Sequence, residues 1–343
     1  MINQVNGLTL GADPELFAEV DGAVIGSEKF IPKDGLGKEH DFAPAKLVRD
    51  GVQIELHPEA RSRVQDVTTS LAGVFRLLNQ HLAKTPQIKV CFSPVVEISR
   101  KELMSLSKKS RQLGCMPSKN IYGIKRVQVD GTKYLKRSAA GHIHFGLNNS
   151  IYQRQQGMVY KDERKRLVTP ADILIGNTCV LIDRDEAQVE RRKLYGRVGE
   201  YRLPKHGLEY RTPSNFWLRS IALTQLVFGL AEMTVGVLAT TIDGGQNLEK
   251  ELITKVDVKK VIKAVQKNDF ELALENWQVV REFIEKYATE KHVLNKQNLA
   301  KFEKFVWAVN KEGLEEVFYD DPMKHWSQAV VKGDEWQKFL ASV

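Results

Sequence analysis

The sequence predicts an α+β protein, with a sheet-forming part in residues 1–217 and a helical part in residues 218–343. Two Asp-Gly steps, Asp21-Gly22 and Asp50-Gly51, each separate apolar runs, as the turns of β-hairpins do. From Asn215 onwards, apolar residues recur with helical spacing and strand-like alternation is scarce. Strands followed by helices in this way are typical of the α+β class.

The composition is that of a soluble globular protein. The chain has 343 residues, of which 42% are hydrophobic and 27% are charged, and its formal net charge is +8. This basic excess suits an anionic substrate such as a nucleotide. Nucleic-acid binding is not indicated, because the sequence shows no basic stripe with interleaved aromatic residues. The oligomeric state stays open.

The sequence favours a cytoplasmic location. Cys91, Cys115 and Cys179 form neither a CxxC pair nor a disulfide framework, which is expected in a reducing compartment. The N-terminal segment lacks the apolar run of a signal peptide. The most apolar segment, residues 221–242, contains Glu232 and other polar residues, so we expect a buried core helix and no membrane span.

Acidic residues occur on the first two predicted strands. Residues 8–20 are predicted to form one strand, on which Asp13 and Glu15 share a face because they are two apart. In residues 52–57, apolar and polar residues alternate, which places Glu55 at the centre of a polar face. A carboxylate in that position is either solvated or holds a cation.

The segment SAAGHIHFGL, residues 138–147, is predicted to form a strand with His142 and His144 on one face. Gly141 and Gly146 bracket the two histidines and allow a ligand or another backbone to approach closely. A lone histidine is usually structural. An HxH pair among small residues is compatible with contact to a metal ion or a phosphate as well as with a structural role.

Residues 191–217 contain five arginines and two Glu-x-Arg repeats, Glu200-Tyr201-Arg202 and Glu209-Tyr210-Arg211. On a strand, each repeat would place an anion and a guanidinium side by side. One such repeat is compatible with a salt bridge on a solvated sheet. Two repeats, separated by a predicted turn at residues 204–207 and preceded by Arg191-Arg192, favour a site for a polyanion with a metal ion.

These strands together predict a metal-assisted phosphate site. Acidic residues that converge on one face of a sheet repel one another unless cations lie between them. Carboxylate-rich sites favour Mg²⁺ or Mn²⁺ over Zn²⁺, and arginines beside such ions suit phosphoryl transfer. The sequence contains neither a Walker A motif nor a GxGxxG after a strand, so we expect any ATP site to lie on the sheet.

Four sequence pieces, taken in order, resemble the motifs of the glutamine synthetase-like carboxylate–amine ligases, and most closely the phage phiEco32-like COOH·NH2 ligase type 2 family. The pieces, within roughly residues 7–217, are GADPELF, DGVQIELHP, GHIHFG, and RRKLYGRVGEYR with LEYRTPSNFW. The resemblance implies a curved, mainly antiparallel glutamine synthetase-like catalytic sheet with flanking helices. It also implies an ATP-dependent, amide-forming ligase (an amidoligase) that acts through an acyl phosphate, and a phage origin, hence the host cytoplasm.

The resemblance also implies roles for individual residues. The metal ligands would be Asp13, Glu15, Glu55, His142 and Glu209. The catalytic residues would be Arg192, Arg202 and Arg211, which neutralise phosphate or a substrate carboxylate, and the ATP contacts would be His144, Arg192 and Arg202. Glu200 would only orient Arg202. The cofactors would be ATP and Mg²⁺ or Mn²⁺, and the substrates a small-molecule or peptide carboxylate and amine.

Two alternative functions remain open at this point. The HxH pair and the carboxylates could activate water in a metal-dependent hydrolase, although the chain lacks the repeating βα units of an HxH barrel. The chain could also be a non-catalytic binding protein that keeps the fold, although the near-complete set of motifs argues against this.

Overall fold

The computed structural model describes residues 1–5, 7–37, 45–113, 118–147, 164–242, 246–318 and 321–342. Cys115 lies outside these residues. The strands are β1 (Thr9–Ala12), β2 (Glu15–Val20), β3 (Ala23–Ile25), β4 (Ala45–Asp50), β5 (Gln53–Pro58), β6 (Ile88–Cys91), β7 (Val95–Glu97), β8 (Lys119–Asn120), β9 (Lys136–Ser138), β10 (Ile143–Gly146), β11 (Glu200–Arg202) and β12 (Gly207–Tyr210).

The strands pair in antiparallel fashion. One five-stranded sheet has the order β1-β10-β12-β11-β8, and a second has the order β3-β2-β5-β4 with β6 also paired to β2. A short ribbon joins β7 to β9. The α+β class and the antiparallel sheet are therefore confirmed, whereas the glutamine synthetase-like fold stays an expectation.

The predicted hairpin turns are present. Asp21 and Gly22 connect β2 to β3 with positive φ angles of 49° and 75°. Such angles are typical of the tight turn whose twist matches that of the flanking strands. Gly51, with φ of 62°, lies in the turn between β4 and β5.

The first predicted strand is broken at Asp13-Pro14, so the expectation of one continuous strand over residues 8–20 was wrong. β1 ends at Ala12 in the first sheet, which contains β10 and β12, and β2 begins at Glu15 in the second sheet, which contains β5. Pro14 has no N–H to give to a ladder, while its carbonyl accepts from the Leu56 N–H at 2.9 Å. The chain thus crosses between the sheets at Asp13-Pro14.

Helices surround the sheets and form the second half of the chain. They are α1 (Val64–Leu82), α2 (Arg100–Ser105), α3 (Lys108–Arg111), α4 (Val168–Ala171), α5 (Asn177–Ile182), α6 (Ala187–Leu194), α7 (Ile221–Ile242), α8 (Leu248–Lys255), α9 (Val258–Lys267), α10 (Phe270–Tyr287), α11 (Leu299–Glu312), α12 (Leu314–Val317), α13 (Pro322–Gln328) and α14 (Glu335–Ser342). A π-helical turn, Asp172–Gly176, joins α4 to α5.

The periodicity predicted these helices well where it was long and regular. The sequence predicts a helix over residues 67–82 from apolar residues with helical spacing, and all six of these are buried on the inner face of α1: Val67, Leu71, Val74, Phe75, Leu78 and Leu82. Two shorter segments differ from what their sequence predicts. Residues 89–98 predict one short strand but are divided between β6 and β7. Residues 100–111 predict one polar helix, but the helix stops before Ser107, whose side chain caps α3.

The apolar helix α7 lies in the centre of the fold. Within the described part of the chain, Ile221–Thr241 is long and apolar enough to cross a membrane, but 94% of its most apolar window is buried inside the protein. This confirms the expectation of a core helix. One hydrophobic cluster extends from Ile2 to Leu340 and includes residues of both the strands and the C-terminal helices. The proposed boundary between residues 217 and 218 stays a prediction.

Candidate active site on the five-stranded sheet

A row of residues crosses β1, β10, β12 and β11, four strands of the first five-stranded sheet. Gly11 lies opposite His144, His144 opposite Glu209, and Glu209 opposite Arg202. Residues directly opposed on antiparallel strands share a face, so an imidazole, a carboxylate and a guanidinium stand side by side. At the edge of the row, a Cβ on Gly11 would lie 3.2 Å from that of Ala60. Glycine at position 11 therefore avoids a tight contact with Ala60 next to His144.

Asp13, at the crossing between the sheets, brings a carboxylate to both histidines. Its Oδ1 lies 2.9 Å from His142 Nδ1 and 3.1 Å from His144 Nε2. Burial alone would raise the pKa of Asp13, but its interactions with His142 and His144 outweigh burial and hold this pKa well below its usual value. Asp13 is therefore an anion at neutral pH.

The two histidines lie in different environments. The pKa of His142 is lowered because burial and the charge of Arg211 outweigh the attraction of Asp13. Its Nδ1 faces a carboxylate, which can only accept, so Nε2 of the neutral ring accepts from the Tyr195 hydroxyl at 2.7 Å. For His144, burial lowers the pKa, but the hydrogen bond and charge of Asp13 raise it by a larger amount. The pKa of His144 is therefore above its ordinary value.

Glu209 is the most heavily contacted carboxylate of the row. Arg202 donates from Nε and Nη2 to its two oxygens, each at 2.6 Å, and Arg211 donates to Oε1. His142 Nδ1 lies 3.4 Å away. Burial would raise the pKa of Glu209, but the neighbouring His142, Arg202 and Arg211 lower it. A paired arginine fork of this kind is a strong, geometrically specific contact.

Asp13, His144 and Glu209 form a donor set that fits a divalent cation. One ligand atom from each residue lies within 4.8 Å of the other two. Two of the three are carboxylates whose pKa values are lowered, so they are deprotonated as ligands must be. Carboxylate oxygens with an imidazole suit Mn²⁺ or Mg²⁺. His144, expected to contact ATP, thus joins this set, while His142 lies between Asp13 and Glu209.

A second acidic group lies across the Asp13-Pro14 crossing. Glu15 on β2 pairs directly opposite Glu55 on β5. Burial and the charges of Asp50 and Glu55 raise the pKa of Glu15 well above its usual value. Burial together with the charges of Glu55 and Asp13 raises the pKa of Asp50 to about 6. Like charges held this close favour a bound cation or proton.

The structure places the other predicted residues away from the row. Arg192 lies on α6, a helix that was not expected from the sequence, and is buried with its Nη1 donating to Asn268 Oδ1 at 2.9 Å. The charged groups that shift its pKa most, after burial, are Arg191 and Asp183. Arg191 is fully buried and donates to backbone carbonyls, including that of Ala139 at 3.0 Å.

Glu200 does not orient Arg202. It accepts from Arg197, with N and Nε at 3.0 and 3.1 Å, and from the Ser118 hydroxyl. The expectation that each Glu-x-Arg repeat pairs its own glutamate and arginine therefore holds for Glu209 and Arg211 alone. Arg202 is paired across the sheet with Glu209, because strand register outweighs proximity in sequence.

Four residues near the site were not among the predicted site residues: Asp50, His57, Tyr195 and His206. His57 Nε2 lies 2.9 Å from Glu55, two residues away on the same face of β5, so period-two alternation could have found it. His206, in the predicted turn, has Nε2 3.0 Å from His144 Nδ1. Tyr195 lies within the motif piece RRKLYGRVGEYR, but its contact with His142 could not be predicted, because that contact depends on where α6 ends.

A row of carboxylate, imidazole and guanidinium groups on an antiparallel sheet could hold a cation beside an anion. The model of one protein family, described as phage phiEco32-like COOH.NH2 ligase-type 2, matches residues 125–311, more than half of the chain. The chain belongs to this family of carboxylate–amine ligases, as the motifs implied. The match contains the HxH and Glu-x-Arg segments and begins after Asp13, Glu15 and Glu55. No curated protein matches the chain.

Proposed function

We propose that the protein is an ATP- and divalent-metal-dependent ligase that joins a carboxylate to an amine through an acyl phosphate. The observation that carries the proposal is the row on the sheet, in which the Asp13, His144 and Glu209 ligand atoms converge beside two guanidiniums. Family membership supplies the reaction class. ATP and the metal ion are the proposed additions.

The proposed reaction has two steps. A carboxylate oxygen of the first substrate attacks the γ-phosphorus of ATP, a new P–O bond forms, and the bond to ADP breaks. The nitrogen of the amine then attacks the acyl carbon, the C–N bond forms, and the C–O bond to phosphate breaks. Phosphate leaves with the electron pair and takes the proton that the amine loses. The products are an amide, ADP and hydrogen phosphate.

The side chains of the row suit this chemistry. A divalent cation held by Asp13, His144 and Glu209, with Glu15 and Glu55 available across the crossing, would neutralise charge on the transferring phosphoryl group. Arg202 and Arg211 present fixed guanidiniums beside the same carboxylate, where they can bind phosphate or substrate carboxylate bidentately. Neutral His142, held between Asp13 and Tyr195, fixes the orientation of Asp13. Arg192 has no part in this proposal.

Two measurements test the proposal. Calorimetry should detect ATP binding to purified protein in the presence of Mg²⁺ or Mn²⁺. Mass spectrometry of a metabolite or peptide pool incubated with enzyme and ATP should then show a product lighter by one water than its two reactants. ATP should be cleaved only when both a carboxylate and an amine are present, and a protein that binds no nucleotide would refute the proposal.

The same material separates the alternatives. Tightly bound Zn²⁺ and ATP-independent hydrolysis would favour a hydrolase based on His142 and His144. A biological role that survives Glu55→Gln and Glu209→Gln would favour a non-catalytic binding protein. The host cytoplasm, as the place where ATP is available, is part of the proposal.

A further inference from the structure

A cavity of about 340 Å³ lies on the acidic side of the candidate site. Its lining includes Glu15 and Asp50 from the second acidic group, Tyr195 at the end of α6, Arg126 from the segment between β8 and β9, and Lys136 at the start of β9. This volume is at the small end of the range for ligand pockets. It suits a molecule of a few to about ten heavy atoms.

The charges in the cavity are of both signs. Glu15 is buried and Asp50 is half-buried, whereas Arg126 is exposed. The Nζ of Lys136 lies 3.3 Å from Oε1 of Glu190, which partly neutralises the charge of the lysine. Within the described ranges no ion pair engages Arg126, so its guanidinium is available to a ligand. Carboxylates recognise an ammonium group and a guanidinium recognises a carboxylate, so the lining matches a zwitterion.

Hydrogen bonds hold in place the part of the cavity wall that carries Arg126 and Lys136. Arg137 is fully buried, and its Nη2 donates to the carbonyls of Arg111 and Gly131 at 3.0 and 2.9 Å. The Val127 N–H donates to the Lys193 carbonyl at 3.0 Å, which ties the same segment to α6. A wall held in this way loses little conformational entropy on binding.

Tyr195 joins the cavity to the row on the sheet. It lines the cavity, its hydroxyl lies 2.7 Å from His142 Nε2, and its ring lies 5.0 Å from the guanidinium carbon of Arg211. Glu15 is in the cavity lining and follows Asp13, a proposed metal ligand, by two residues. A ligand in the cavity therefore lies next to the place where a carboxylate would be activated.

We propose that this cavity binds the amine substrate, and that this substrate is a free amino acid or a dipeptide. Its ammonium group faces Glu15 and Asp50, and its carboxylate faces Arg126 and Lys136. Nucleotide is excluded from the cavity, since a polyphosphate would meet two carboxylates there. The assignment of the ligand as the amine reactant rests on the proposed function, whereas its binding to the cavity can be tested without catalysis.

Binding is measured on the full chain without ATP, by calorimetry with the twenty standard amino acids and with Ala-Ala. The matched probes are the N-acetylated and the carboxyl-amidated forms of each ligand that binds, and we expect both to bind roughly tenfold more weakly or worse. Arg126→Gln should weaken binding by a similar factor, with partial rescue in Arg126→Lys. Lys125→Gln, which removes an exposed charge next to Arg126 without touching the cavity lining, should leave binding unchanged.

The outcomes separate this assignment from the ligase proposal. Zwitterion binding that depends on Arg126, with no ATP cleavage under any condition, would support the cavity and overturn the ligase. ATP cleavage with no zwitterion bound by the protein, or with binding indifferent to Arg126→Gln, would overturn the cavity assignment. A loss of ATP affinity in Arg126→Gln with amino acid affinity unchanged would also overturn it, because the cavity would then be the nucleotide site.

Discussion

Glu200 and Glu209 occupy neighbouring antiparallel strands and begin the same tripeptide pattern, Glu-Tyr-Arg, yet their surroundings differ. Glu200 is enclosed by Arg197 and the Ser118 hydroxyl. Glu209 is just as buried, but its partners Arg202 and Arg211 belong to a row that continues to two histidines and Asp13. Glu200 forms a buried ion pair with Arg197, whereas Glu209 belongs to the candidate active site.

The difference comes from strand pairing, because the tripeptides are the same. The register of β11 and β12 sets Arg202 opposite Glu209, so the guanidinium of the first repeat serves the carboxylate of the second. Glu200, left without it, pairs with Arg197 three residues earlier. A local motif therefore identifies candidate groups, while the register decides which of them meet.

The largest expected effect is that of Glu209→Gln. The substitution removes the charge of a proposed metal ligand and the partner of two guanidiniums, so we expect roughly a 10²–10³-fold loss of kcat/KM for amide formation, together with weaker Mn²⁺ binding. Steady-state kinetics and Mn²⁺ titration on folded protein check it. Unchanged Mn²⁺ affinity would show that Glu209 is structural like Glu200.

Glu200→Gln is the matched control and should act on stability. Removing one partner of a buried ion pair leaves Arg197 uncompensated, which costs about 3–5 kcal/mol of unfolding free energy. Denaturant titration measures this loss. Activity per folded molecule and Mn²⁺ affinity should stay within about twofold of the parent protein, and a large loss of either would erase the contrast between the two glutamates.

Arg202→Lys should produce a smaller effect on the chemical side. Lysine cannot reproduce the two parallel contacts to Glu209, so we expect a loss of roughly 10–100-fold in kcat/KM with little change in melting temperature. Arg197→Lys, beside Glu200, should do the reverse and lower the melting temperature while kcat/KM is retained. Equal kinetic losses in both variants would contradict the assignment.

Asp172 accepts hydrogen bonds from residues next to both glutamates, and its substitution is expected to have the smallest effect. Its Oδ1 accepts from the Gly199 N–H at 3.2 Å, just before Glu200, and from the Tyr210 hydroxyl at 2.7 Å, just after Glu209. Burial raises the pKa of Asp172 to about 7. Between the unfolded pKa of about 4 and this value, the folded state holds a proton that the unfolded state has lost, so stability falls as pH rises.

Asp172→Asn keeps the accepting oxygen and removes the titration. The variant should therefore gain stability relative to the parent protein as pH rises from about 4 to about 7, by at most about 1.4 kcal/mol per pH unit, with no further gain above that window. Denaturant titrations of both proteins across this range measure the difference. A difference that is independent of pH would show that Asp172 is ionised in the folded state.

The sequence predicted the larger parts of the fold because their signals are local. The inner face of α1, the core helix α7 and the two Asp-Gly hairpins each depend on residues close in the chain. The break at Asp13-Pro14 was missed, since alternation continues through it and only the pairing of two separate sheets reveals it. The helix carrying Arg191 and Arg192 was missed because the charge pattern was interpreted as a strand-borne anion site.

The site was predicted in part for the same reason. Asp13, His142, His144, Glu209 and the two guanidiniums beside it were chosen from motifs and do lie together, although their roles as ligands stay a prediction. Arg192 belongs to the same motif but lies beside Asn268. Tyr195 and Asp50 lie within the motif pieces RRKLYGRVGEYR and DGVQIELHP, but their importance depends on side chains that meet through long-range packing.

The row on the sheet also has a consequence for how the protein is made. Asp13 and His142 are 129 residues apart in the chain, and the row is completed by Glu209 and its partners further on. Pairing over such separations carries a large loop-closure entropy and is slow. During synthesis, the early acidic residues must wait until β12 has emerged before their partners exist. We therefore expect a period in which these strands have exposed edges, when the nascent chain depends most on protection from aggregation.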